Sequence, residues 1–115
     1  MSVVLISSDM MVSSRVRSTS QAAGAALQIV VSPADLAVKL GEETRLVIVD
    51  LSQPQLNLPD VIAAVRESSP AARIVAFGPH VDDKLLALAR KAGCDEVMTN
   101  GEFHREQLAL IGRLA

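Results

Sequence analysis

Asp50 ends the apolar run Leu46-Val47-Ile48-Val49 and is followed by Leu51-Ser52-Gln53-Pro54. A carboxylate at the carboxyl end of a buried strand stands where an open α/β sheet places its chemistry. It can bind a hard cation through oxygen, or accept hydrogen bonds from nearby backbone. Asp9 follows Ser7-Ser8 and precedes a helix-like segment, so capping that helix is its first reading and metal assistance beside Asp50 the alternative. His80, in Phe77-Gly78-Pro79-His80, has the type for a proton donor, a metal ligand with Asp9 or Asp50, or a phosphate contact. A lone histidine is an incomplete site, so a loop histidine is the preferred reading. His104 is expected at the surface. Cys94 has Asp95 and Glu96 beside it, the wrong sign to stabilise a thiolate, and reads as a small buried apolar residue. The glycines form no G-x-G-x-x-G loop, and Walker A and G-x-S-x-G motifs are absent.

The elements that must position these groups alternate at a steady beat. Val3 to Ile6, Leu27 to Val31, Leu46 to Val49, Arg73 to Phe77 and Glu96 to Thr99 read as strands. Their continuous apolar character suits a parallel sheet covered on both faces. Between them lie helix-sized segments. Met10 to Ala23 places Val12, Val16, Thr19 and Ala23 on one face, with Gly24 as a stop. Ser32-Pro33 is an N-cap with proline at the first helical position, and Gly41 ends that helix. Pro59 opens a helix, after Asn57 or Leu58, that runs to about Ser68. Val81 to Ala92 carries an apolar stripe of Val81, Leu85, Leu88 and Ala92, and Gly93 ends it. The last helix, roughly Glu102 to Leu114, is expected to bury Phe103, Gln107, Leu110 and Leu114.

Composition narrows the function classes. The 115 residues suit one domain, 1–115, with one core. Half the residues are apolar, which opposes disorder. Phe77 and Phe103 are the only aromatic residues, so there are few rings to stack bases. The net charge is −2 with no basic stripe, which argues against nucleic acid as a partner. Arg15 and Arg17 sit among serines on a face expected to be solvated. A single cysteine allows no internal disulfide. The run Val3 to Ile6 is too short for a signal peptide, and nothing approaches the ~20 apolar residues of a membrane span. A cytoplasmic domain, monomeric or a homodimer, is the expectation.

Over its whole length the chain resembles a response-regulator receiver domain, the CheY-like kind. Asp50-Leu51-Ser52-Gln53-Pro54 matches the family's phosphoacceptor aspartate and the proline four residues on. Val61, Ile62, Val65 and Arg66 continue into the third helix without a gap. Ala92-Gly93-Cys94-Asp95-Glu96 matches the Ala-Gly corner before the fifth strand. The resemblance implies a doubly wound (βα)5 flavodoxin-like domain, its parallel five-stranded sheet in the order 2-1-3-4-5. It also implies a phosphoacceptor at Asp50 and Mg²⁺ held by three carboxylates.

Several positions depart from that pattern. Ser7 and Ser8 stand where receivers carry an acidic pair, with Asp9 one place further along. Gly78 replaces a Thr or Ser, Asn100-Gly101 replaces Lys-Pro, and Val97 replaces the aromatic switch residue. The ion would find Asp50, the Ser52 carbonyl and at best Asp9. Asn100 carries no charge, and a charge-assisted bond is about twice as strong as a neutral one. The expectation is a non-enzymatic, atypical receiver that binds a protein partner, a sensor kinase or an effector, without phosphorylation or a resident cofactor. The alternatives are a phosphorelay receiver modified on Asp50 and a small-ligand or nucleotide-binding module. Receivers use the fourth helix, fifth strand and fifth helix for partner contact. Leu86 and Leu108 lie off the apolar stripes of their helices, so that edge, with Lys84, Arg90 and Lys91 at its rim, is the expected interface.

Overall fold

The computed structural model describes residues 2–114, without the side chains of Pro33 and Leu114. The expected burial of Leu114 and the outermost residues of the 1–115 domain therefore lie outside the described residues. The chain runs β1 Ser2–Ile6, α1 Met10–Ala22, β2 Ala26–Val30, α2 Pro33–Lys39, β3 Thr44–Asp50, α3 Leu58–Ser68, β4 Arg73–Gly78, α4 Asp83–Ala92, β5 Glu96–Thr99 and α5 Asn100–Leu114. All paired strands are parallel, and the sheet order is β2-β1-β3-β4-β5.

Successive strand residues point to opposite faces, so the central strands feed two cores. Val4, Ile6, Val47, Val49 and Ile74 meet α2, α3 and α4, which contribute Leu36, Val61, Val65, Leu86 and Ala89. Val3, Leu5, Leu46, Ile48 and Val75 meet α1 and α5, which contribute Val12, Val16, Phe103, Leu110 and Ile111. That is why β1 and β3 read as apolar throughout, while edge strand β2 leaves Ala26 and Gln28 exposed. Phe77 and Phe103 stack with centroids 4.2 Å apart and planes within 5°, pinning α5 to β4.

The caps fix where the helices begin. Ser32 accepts from the Ala34 amide, Asn57 from the Asp60 amide and Asp82 from the Leu85 amide. Gly93 ends α4 with φ 112, a left-handed value that a side chain would strain.

One expected stripe is wrong. Helix α4 starts at Asp83, not Val81, and buries Leu86 and Ala89, with Leu85 and Ala92 half-buried. Val81 is 79% exposed and Leu88 63% exposed. The stripes Leu85-Leu88-Ala92 and Leu85-Leu86-Ala89 both have helical spacing, and the sheet selects the second. Leu86 fits into space above Gly78, where an added Cβ would lie 3.5 Å from Leu86 Cδ2.

Candidate functional site

The carboxyl ends of the strands assemble the site. Ile6 pairs in register with Val49, Asp50 with Phe77, and Gly78 with Thr99. Ser7, Asp50, Gly78 and Thr99 therefore stand along one end of the sheet.

Asp50 is 6% exposed, and both carboxylate oxygens have partners. The Ser7 hydroxyl donates to Oδ2 at 2.8 Å, and the Ser52 amide donates to Oδ1 at 2.9 Å. Ser7 is 1% exposed, and its oxygen accepts from the Asp9 amide at 3.1 Å. The carboxylate thus closes a short polar chain from β3 to the loop after β1. Hydrogen bonds to an ionised group contribute about 1.5–3 kcal/mol each, so this chain is a substantial tie.

Asp9 serves the helix. Its Oδ1 accepts from the Met11 amide at 2.8 Å and the Val12 amide at 3.1 Å, the geometry of an N-cap. Ser8 is exposed, and its amide donates to Gln53 Oε1 at 2.6 Å. Gln53 Nε2 donates in turn to the Val31 carbonyl at 2.9 Å. One glutamine thereby ties the loops after β1, β2 and β3 together. The sequence carries no signal for this role beyond a polar residue near Asp50, because both partners are backbone groups distant along the chain.

The remaining positions singled out in the sequence are filled or absorbed. A Cβ at Gly78 would lie 3.3 Å from Leu51 Cβ and 3.4 Å from Leu51 Cδ1, so leucine fills the flank of this glycine. Asn100 is the first residue of α5, with no intervening loop. Thr99 and Glu102 form a reciprocal box. Glu102 Oε1 accepts from the Thr99 amide at 2.9 Å, and Thr99 Oγ1 accepts from the Glu102 amide at 3.2 Å. The Thr99 bonds hold the Glu102 carboxyl below its usual pKa. The Thr-x-x-Glu signature was present in the sequence, masked by an Asn-Gly pair that reads as a turn. Val97 pairs with Ala76 and packs half-buried against the core on the α2–α4 side.

The donor set fits Mg²⁺ poorly. Asp9 is spent on the α1 cap, both Asp50 oxygens already have donors, and the Ser7 hydroxyl points its proton at Asp50. Among the described residues no group of three or more His, Cys, Asp or Glu side chains is placed to hold a metal. Mg²⁺ prefers charged oxygen ligands in near-octahedral array, and neutral serines replace that charge badly.

Solved structures resemble this one closely. The receiver domain of the sensor histidine kinase PA1611 from Pseudomonas aeruginosa, with a magnesium ion in its active-site cleft, matches with TM-score 0.76 and 13% identity over 98% of this chain and 95% of that one. The beryllofluoride-activated DrrB receiver domain matches with TM-score 0.79 and 17% identity over 97% and 94%; DrrB is from Thermotoga maritima. HP1043, an orphan response regulator of H. pylori, matches with TM-score 0.71 and 16% identity over 98% and 92%. The chain has the receiver fold. No family model and no curated protein matches its sequence.

Within this receiver fold, the expected interface needs correction. Leu86 is 5% exposed and faces the sheet, so it cannot meet a partner. Leu108 is 56% exposed on α5, and Lys84 and Arg90 are exposed on α4. His80 is exposed in the loop after β4, and neither Asp9 nor Asp50 is hydrogen-bonded to it. His104 is half-buried, tilted against Phe103, with Nδ1 3.5 Å from Gln107 Nε2. Arg15 and Arg17 are exposed, while the Thr19 hydroxyl of the same helix lies 2.9 Å from both the Arg15 carbonyl and Gln107 Oε1. Cys94 is half-buried. Burial first, then the Asp95 charge, pushes its thiol up to about 11. Asp95 instead braces the structure, accepting from the Ile74 amide at 2.8 Å and pairing with Arg66 at 3.0 Å.

Proposed function

We propose that this receiver-fold domain signals by binding a protein partner, without turnover and without an aspartyl-phosphate switch. The observation that supports this reading is the engagement of Asp50. Its two oxygens are held by Ser7 and Ser52, with an uncharged neighbour where a receiver carries acid. Phosphoryl transfer to a carboxylate relies on positioning and on neutralising charge. Here the second acid caps α1, the place of the conjugate hydroxyl is crowded by Leu51, and the place of the lysine is the first residue of α5. Among the described residues no cation is ion-paired with Asp50, so an acceptor in this setting meets an anionic donor without that neutralisation.

The switch half of the device is altered in the same way. A valine at position 97 has no ring to turn inward, and the helix that follows β5 begins without a loop that could move. Such a domain is read by partners through its standing surface and its abundance. No helix among the described residues is long and apolar enough to cross a membrane. The test is incubation of the purified chain with acetyl phosphate and Mg²⁺, and separately with beryllofluoride and Mg²⁺. The expected result is no phosphate-dependent gel shift and no change in amide spectrum. A shift that disappears in Asp50→Asn would overturn the reading in favour of a phosphorelay receiver.

A further inference from the structure

A groove of about 550 Å³ runs between α4 and the loop joining β3 to α3. Its volume is in the range that holds ligands. Leu51, Leu56 and Leu58 line one side, and Leu85, Leu88 and Ala92 line the other. Leu88 is 63% exposed at its lip. Single exposed leucines are ordinary, but this one joins a continuous apolar floor. A second hollow on the outer face of α4, formed by Lys84, Ala87, Leu88 and Lys91, shares Leu88 and Lys91 with the groove. Residues three and four apart are neighbours on a helix surface, so Lys84 and Lys91 bracket Leu88. Neither lysine joins an ion pair among the described residues.

The loop wall carries a second sign of specialisation. Gln55, which lines the groove, has φ 61, the described residues' one left-handed value outside glycine. Such conformations gather at ligand clamps. The groove also shares Leu51 and Gln53 with the loop that holds Asp50, so an occupant presses on that loop directly.

We propose that this groove docks an amphipathic helix of a protein partner, with apolar anchors at helical spacing and acidic residues flanking them. This rests on the reading of the domain as a protein-binding module and names its surface. Charge selects the occupant. The apolar floor takes the anchors, and Lys84 and Lys91 lie where flanking carboxylates arrive. A second copy meeting α4 to α4 would bring each lysine pair against its own equivalent, because a two-fold interface matches one patch to itself. The apolar wall from Leu85 to Ala92 is about 10 Å long at the helical rise, which suits two turns of a docked helix.

The test uses the full chain and three fluorescent peptides of roughly 14 residues, long enough for partial helix. One carries leucines at helical spacing flanked by glutamates, one replaces the glutamates with lysines, and one replaces the leucines with serines. Anisotropy and amide-shift mapping give the affinities and the surface. The acidic leucine peptide should bind and shift Leu56, Leu88 and Ala92. Leu88→Ser should weaken it about tenfold, as loss of a central anchor does. Lys84→Glu with Lys91→Glu should reverse the preference to the lysine peptide. Both variants change exposed residues, and circular dichroism checks the fold. Equal binding of all three peptides, shifts confined to α1 and α5, or groove occupancy by decanoate with no peptide bound would overturn the proposal. Phosphorylation of Asp50 with groove binding intact would sink the phosphate-free reading alone, and absence of both would sink the groove alone.

Discussion

Removing the Ser7 hydroxyl tests whether Asp50 is a structural tie. Ser7→Ala deletes the 2.8 Å bond to Asp50 Oδ2 and the acceptor for the Asp9 amide. The Ser52 amide still serves Oδ1. A hydrogen bond to a charged group contributes about 1.5–3 kcal/mol, and a buried oxygen left without a partner adds to the loss, so about 2–3 kcal/mol should disappear. With a urea slope of about 1–3 kcal/mol/M, the unfolding midpoint should fall by about 1 M at unchanged slope. Asp50→Asn should cost less than about 1 kcal/mol, because an amide can accept from Ser52 and donate to Ser7. A cycle of Ser7→Ala, Asp50→Ala and the double variant then isolates the pair, with an expected coupling of about 1.5–3 kcal/mol. Urea titration followed by far-UV circular dichroism reads all four proteins. A Ser7→Ala midpoint within about 0.2 M of wild type would refute the reasoning.

Gly78→Thr should destabilise by about 1–3 kcal/mol through overpacking against Leu51 and, in thermal melts, should gain nothing from Mg²⁺. Cys94, its thiol pushed from 9.0 to about 11, should carry about 100-fold less thiolate than an ordinary cysteine at pH 8. The greater nucleophilicity of a more basic thiolate returns about tenfold of that, so iodoacetamide should react about tenfold more slowly than with the unfolded chain. Burial opposes the charged form of Asp95, but the Ile74 amide and the Arg66 guanidinium outweigh it and hold its pKa low. A depressed folded pKa means stability present above the unfolded value and lost as pH falls through the folded one. The stability gap between wild type and Asp95→Asn, measured by urea unfolding, should therefore be widest near neutrality and narrow below about pH 4.

The residues alone determined the alternation of strand and helix, because the apolar runs and the Ser32, Asn57 and Gly93 boundary signals are local and survive without neighbours. They also placed Asp50 at a strand end, and the resemblance to receivers marked Ser7 and Ser8 as standing where acids are expected, since identity at a position needs no coordinates. The strand order could be reached only through resemblance, and tertiary pairing decided it. Helix phase belonged to the fold as well: Leu86 and Leu88 are equally good stripe members until Gly78 leaves a space that one of them must fill. The Asp50 tie joins residues 43 positions apart, and the Gln53 bridge joins backbone groups of separate loops, so neither leaves a periodic trace. The groove beside α4 exists because Leu86 turned inward and left Leu88 outside, a choice made by packing against the sheet and legible nowhere along the chain.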